Sequence, residues 1–144
     1  MPPRLGWWPE VLKKQEIEKD SPTCTSESLK MILSIIAQNE WVPNPMDVKT
    51  AFLQGDLLDR QVFLRPPKEA NQIGKLWHLN KCVYGLSDAS LKWYQRVKNF
   101  LLSTDGNMSK VDPAVFCWHN GDRCLSGVLA CHVDDFLWGG HCRI

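Results

Sequence analysis

A pair of adjacent acids between two apolar runs constrains the fold of this chain more than any other feature. Asp134 and Asp135 follow a mostly apolar run over residues 125–133 and precede the apolar residues 136–138, after which two glycines end the pattern. Apolar and β-branched residues favour strands, and Asp tolerates turn geometry. The pattern therefore predicts a strand, an acidic turn and a second strand. Taken alone, it also fits an ordinary hairpin whose turn is acidic and has no chemical role.

Length and composition indicate one domain, or part of one, with a hydrophobic core. The chain has 144 residues, of which 44% are hydrophobic, and a net charge of +1. This charge gives no bulk basic field, so any binding of nucleic acid must be local. The six cysteines lack CxxC spacing, which predicts reduced thiols in an intracellular protein. The sequence has no apolar run of about 18 residues, which argues against a membrane span.

Two helices are predicted from capping residues and apolar periodicity. Thr25 or Ser26 can cap the first, and Ser87 or Asp88 can cap the second, which should run to about Leu102. Apolar residues that recur at helical spacing should face the core. They are Leu29, Ile32, Leu33 and Ile36 in the first helix, and Leu91, Tyr94, Val97 and Leu101 in the second.

Strands are expected around these helices. Residues 41–49 should be extended, but Pro43 and Pro45 remove backbone donors, so only residues 46–48 can pair fully. Residues 61–65 are predicted to form a second strand that makes a hairpin with the first.

Further strands complete the predicted order of helix, strand, strand, helix, strand, strand, strand. Residues 75–79 read as a short strand or loop, and residues 115–118 should pair with residues 124–133 around a turn at 120–122. We expect an α+β fold, an antiparallel sheet with helices packed on one face. Residues 1–20 are expected to be an irregular N-terminal segment, residues 21–140 a domain, and residues 141–144 a tail.

A third acid would turn the acidic hairpin into a metal site. Phosphoryl transfer by two metal ions needs carboxylates from different strands, because hard cations prefer oxygen ligands and the ions lie about 3.5–4 Å apart. Asp47 ends a predicted strand 87 residues before Asp134. It supplies the third carboxylate if that strand lies beside the hairpin of Asp134 and Asp135.

Ordered sequence blocks run through the chain from about residue 20 to residue 140. They are MDVKTAFLQG at 46–55, VFLRPP at 62–67, LNKCVYGL at 79–86, SKVDPAVF at 109–116 and HVDD at 132–135. In content and order they resemble the reverse transcriptases of copia-type retrotransposons. The resemblance implies part of a polymerase palm, in the right-hand polymerase fold, over residues 21–140. It also implies RNA-directed DNA synthesis by two-metal nucleotidyl transfer to a primer 3′-hydroxyl.

The resemblance assigns roles to particular residues. Asp47, Asp134 and Asp135 would be catalytic and hold two Mg²⁺ ions, with Mn²⁺ as an alternative. The residues that would bind nucleotide and template are Val48, Phe52, Tyr84 and Gly85.

Physical reasons support the assignments of Phe52 and Gly85. Phe52 would lie under the incoming deoxynucleotide, where a 2′-hydroxyl would clash, although a core aromatic is the alternative. Gly85 would let the backbone approach the substrate closely. Lys49 is either a phosphate contact or a solvated lysine at a strand end.

The implied partners are an RNA or DNA template-primer, deoxynucleoside triphosphates and the remainder of a retrotransposon polyprotein, with no membrane. The implied location is intracellular: cytoplasm, virus-like particle or nucleus. Only 46 residues precede Asp47, and four follow Gly140. The alternative is therefore an inactive retrotransposon remnant, or a domesticated binding or interaction protein. We also expect exposed apolar faces that cause association or poor solubility.

Overall fold

The structure, a computed structural model, describes residues 20–141. The expected irregular segment, apart from Asp20, and the expected tail beyond His141 lie outside the described residues. None of the helices within residues 20–141 is long and apolar enough to cross a membrane.

The described residues form an α+β fold with antiparallel pairing throughout, which confirms the predicted class. A five-stranded sheet has the order β1-β7-β6-β5-β4, and β2 and β3 form a separate two-stranded sheet. The elements are α1 (Ser26–Gln38), β1 (Asn44–Asp47), α2 (Ala51–Gln54), β2 (Leu57–Leu64), a 3₁₀ turn (Lys68–Ala70), β3 (Trp77–Lys81), α3 (Ala89–Ser103), β4 (Asn107–Met108), β5 (Val115–His119), β6 (Leu125–His132) and β7 (Asp135–Gly140).

Helix α1 begins where its capping residue predicts. The Thr25 hydroxyl accepts a hydrogen bond from the Ser28 amide at 3.2 Å, which satisfies one of the free donors of the first turn. The expected core face was too wide, because Leu29 and Leu33 are exposed. Only the stripe that directly meets the sheet is buried among its apolar residues, and it consists of Ile32 and Ile36.

Helix α3 also follows its prediction closely, since it ends at Ser103. Asp88 occupies the N-cap position, but its side chain makes no capping hydrogen bond. Its carboxylate instead accepts two hydrogen bonds from Arg60 of β2, at 2.8 and 3.2 Å. This ion pair ties the two-stranded sheet to the start of α3. Leu91, which was expected to face the core, is only partly buried. The buried apolar residues of α3 are Ala89, Trp93, Tyr94, Val97 and Leu101.

The helices pack on both faces of the five-stranded sheet, so the expectation that they share one face was wrong. Along β6, Val128 and Ala130 pack in the cluster that holds Ile32 and Ile36 of α1. The alternate residues, Leu129 and Cys131, pack in the other cluster with α3. Because successive side chains of a strand point to opposite faces, an unbroken apolar run such as residues 128–131 is typical of a strand that is covered on both sides.

The expected hairpin between the first two strands is also absent from the described residues. Strand β1 pairs with β7 at the edge of the large sheet, and β2 pairs with β3. Pro45 pairs opposite Leu137, and the edge position lets a residue without an N–H group face outward. Residues 51–54, between β1 and β2, form the short helix α2 and carry the chain away from the edge.

Candidate active site

The acidic turn joins β6 to β7, as the sequence predicts. His132 ends β6 and Asp135 begins β7, so Val133 and Asp134 form the turn. Val133 has a φ of +59°, which is rare for a β-branched residue because its Cβ crowds the backbone. The indole Nε1 of Trp93 donates a 2.8 Å hydrogen bond to the carbonyl oxygen of Val133. Helix α3 therefore holds the turn in this strained conformation.

Asp47 lies beside this turn, although 87 residues separate it from Asp134. In the antiparallel register of β1 and β7, Asp47 is directly opposite Asp135. The amide of Val48 donates to the carbonyl oxygen of Asp134 at 2.9 Å, which extends the pairing into the turn. On the other side of β7, His132 is opposite Asp135. Directly opposed residues share a face of the sheet, so a row of His132, Asp135 and Asp47 crosses three strands.

Asp134 makes a separate contact at the tip of the turn. The Tyr84 hydroxyl donates to Oδ2 of Asp134 at 3.3 Å. The ring of Tyr84 is tilted against that of Phe52, with 4.4 Å between their centroids. Desolvation, the charge and hydrogen bond of Asp134, and the charge of Asp47 raise the pKa of Tyr84 above its ordinary value. The phenol therefore stays protonated and can donate to a carboxylate.

The residues expected to bind nucleotide surround this contact with very different exposure. Tyr84 is 60% exposed, whereas Phe52 is 8% exposed and belongs to the core cluster. Val48 is half-buried and Lys49 is exposed. Gly85 has a φ of +98°, and no atom lies within 4 Å of the position a Cβ would occupy. In the protein itself, backbone conformation rather than crowding explains glycine at that position.

The donor set of this site suits a hard divalent cation. Carboxylate oxygens are the ligands that Mg²⁺ and Mn²⁺ prefer. Burial raises the pKa of the nearby Cys131 to about 12, so its thiol is neutral and a poor ligand. Within residues 20–141, however, no three His, Cys, Asp or Glu side chains form a group that could hold a metal ion. The backbone brings the three acids together, but their side chains divide between the sheet face and the turn.

Three features in or near the site were missed by sequence reasoning. The indole of Trp93 supports the turn. The ion pair of Arg60 and Asp88 joins β2, which pairs with β3, to the end of the loop that follows β3. Neither has a local sequence signal, because each partner is distant in the chain. His132, opposite Asp135, also received no role.

Comparisons with known protein families and proteins give matches that cover most of the chain. The family described as "Reverse transcriptase (RNA-dependent DNA polymerase)" matches residues 11–143. The chain is 30% identical, over 86% of its length, to the "Retrovirus-related Pol polyprotein from transposon RE1" of Arabidopsis thaliana. It is 29% identical over 86% to the corresponding RE2 polyprotein of the same plant, and 32% identical over 81% to that of transposon TNT 1-94 of Nicotiana tabacum.

The chain spans only a small part of these relatives, 8% of the RE1 and RE2 polyproteins and 9% of the TNT 1-94 polyprotein. No solved structure matches it significantly.

Proposed function

This chain belongs to the family of copia-type reverse transcriptases, and we propose that it forms part of a polymerase palm that adds nucleotides to a primer 3′-hydroxyl. The observation that carries the proposal is the register of β1 and β7, with Asp47 opposite Asp135 and the Val48 amide bonded to Asp134. The backbone thereby brings three acidic residues, from two strands and a turn, to one end of the sheet.

The three acids would hold two Mg²⁺ or Mn²⁺ ions. When bound, such ions activate the attacking hydroxyl and stabilise the leaving pyrophosphate. Convergence of all three side chains on shared ions is part of the proposal. It requires Asp134 to exchange its hydrogen bond from Tyr84 for a metal contact.

Two side chains of the protein, those of Trp93 and Phe52, support this site. Trp93 holds the carbonyl of Val133 and so orients the turn that carries Asp134. Phe52 lies against Tyr84 and supports its ring from the core. Tyr84, which is exposed, would then contact nucleotide and template together with Gly85 and Val48. Phe52 would act on the sugar position mainly through the placement of Tyr84, because so little of its own ring is exposed.

Primer extension by the purified chain on poly(rA)/oligo(dT), with Mg²⁺ or Mn²⁺, tests the proposal. We expect extension by the wild type and by Asp122→Asn, an exposed carboxylate in the β5–β6 turn. Asp47→Asn and Asp134→Asn should each abolish it. Binding of Mn²⁺, followed by electron paramagnetic resonance, should weaken in the same two variants and supplies a readout that needs no catalysis.

The same experiment decides against the proposal if the folded wild type binds no Mn²⁺ and extends no primer. That outcome favours the inactive remnant or the domesticated binding protein. Circular dichroism of each variant separates loss of the site from loss of the fold.

A further inference from the structure

The outward face of the two-stranded sheet carries an exposed aromatic pair. Phe63 of β2 and His78 of β3 are opposite each other in the register, with 5.1 Å between ring centroids and 32° between ring planes. Phe63 is 55% exposed, and His78 is exposed as well. The neighbours on the alternate face, Val62 and Leu79, are half-buried. The aromatic pair therefore points away from the body of the protein.

A basic cleft adjoins this pair. Arg65 directly follows β2, two residues after Phe63, and is exposed. It lines a cleft of about 460 Å³ together with Lys68 and Lys75. None of these three cations pairs with an acid among residues 20–141. They stand out in a chain whose net charge is only +1.

Flat exposed rings beside unpaired cations suit single-stranded nucleic acid. Bases stack on aromatic side chains, and cations follow the phosphates. A protein segment that covered this surface would have to bury unpaired charges, which is costly. The charge pattern therefore favours a polyanion with stacking bases over an apolar partner.

We propose that Phe63, His78, Arg65, Lys68 and Lys75 form a platform that binds the single-stranded template ahead of the polymerase site. The platform deepens the proposed function and rests on it. Tyr84 lies six residues after His78, a distance of at most about 20 Å along an extended chain. That distance equals about six stacked nucleotides, at about 3.4 Å each. The platform thus lies within reach of a template strand that enters the site.

Binding of a fluorescent single-stranded RNA of about 12 nucleotides, followed by anisotropy, tests the platform directly. The wild-type chain should bind, and Phe63→Ala should weaken the affinity by about tenfold. Lys75→Ala should reduce the slope of log K against log salt by about 0.7. The matched control is Lys30→Ala, an exposed lysine on α1, which should bind as the wild type does. Unchanged thermal unfolding shows that each surface variant is folded.

Three outcomes overturn the platform. The first is failure of the wild type to bind the RNA, and the second is RNA binding that Phe63→Ala and Lys75→Ala leave unchanged. The third is binding of inorganic polyphosphate as tight as that of the RNA, without any effect of Phe63→Ala, which indicates attraction of any polyanion.

The Asp134→Asn variant separates the platform from the proposed function. It should lose primer extension while it retains RNA affinity. RNA binding that depends on Phe63, in a wild type without polymerase activity, supports the platform while the proposed function fails. Primer extension that is unchanged in Phe63→Ala and Lys75→Ala supports the proposed function while the platform fails.

Discussion

The strain at Val133 can be measured by comparing two replacements of one residue. Glycine adopts a φ of +59° at no steric cost, whereas alanine keeps a Cβ that crowds the backbone. Both replacements remove the same packing beyond Cβ, so their difference isolates the backbone. We expect Val133→Gly to be more stable to urea than Val133→Ala by about 1 kcal/mol.

Val111 supplies the control for this pair, because it is exposed and its φ is not positive. There, alanine should be at least as stable as glycine, which loses more chain entropy on folding. The same preference for glycine at both positions would argue against strain at the turn.

The indole of Trp93 is the second residue whose effect can be isolated. Trp93→Phe retains an aromatic ring but removes the donor to the Val133 carbonyl. We expect a loss of about 1–3 kcal/mol in the free energy of unfolding, measured with urea, because the carbonyl loses a partner in a partly buried position. Trp77→Phe also removes an indole hydrogen bond, to Gln72, but in an exposed position. It should cost much less, and equal losses would contradict a special role for Trp93.

At the scale of elements, the start of α1 depends on a distant carboxylate. Asp112 accepts hydrogen bonds from the Thr25 amide at 3.0 Å and from the Ala114 amide at 3.0 Å. Burial tends to raise the pKa of Asp112, but the hydrogen bonds from Thr25, Ser28 and Ala114 outweigh it and lower the pKa below 3.8. The loop before β5 thereby fixes the beginning of the helix.

The lowered pKa of Asp112 determines how acid changes the stability of the protein. Because the folded pKa is depressed, the stabilisation is present above the unfolded pKa of about 3.8 and is lost as pH falls through the folded value. Asp112→Asn should be less stable than the wild type at neutral pH, and the gap should narrow below about pH 3.8. Urea unfolding at pH 7 and pH 3 measures it. Asp122→Asn, an exposed control, should show no such gap at either pH.

Local signals predicted the helices well and the strand partners poorly. Thr25 marks the start of α1 because a cap depends on its own neighbours, and periodicity located α3 to within a residue of its end. The strand that ends at Asp47 was identified, but its partner β7 lies far along the chain, and nothing local indicates it. The proximity of Asp47 to Asp135 could therefore be stated from the sequence only as a condition. The register of β1 and β7 satisfies that condition.

At the scale of the whole molecule, the positions of the apolar residues along the chain indicate more about the fold than their number does. The apolar run of residues 128–131 is typical of a strand that is covered on both faces, and the two clusters lie on opposite sides of the sheet. The expectation that the helices share one face did not take this run into account. The ion pair between Arg60 and Asp88 has no comparable signal, because it joins two separate structural units. Arg60 lies just before the strand predicted over residues 61–65, and Asp88 was predicted only as a possible helix cap.

The same distribution leaves an apolar cleft between α3 and the edge of the sheet. The cleft, of about 360 Å³, is lined by Met46, Phe100 and Trp138 among others, and Phe100 is 57% exposed. Exposed apolar patches of this kind promote association. We expect the chain to self-associate in sedimentation velocity, and Phe100→Lys to shift it towards monomer. Val111→Lys adds the same charge at an exposed residue that does not line this cleft, so it should leave association unchanged. A wild type that remains monomeric at high concentration, or equal effects of the two lysines, would show that this cleft does not drive association.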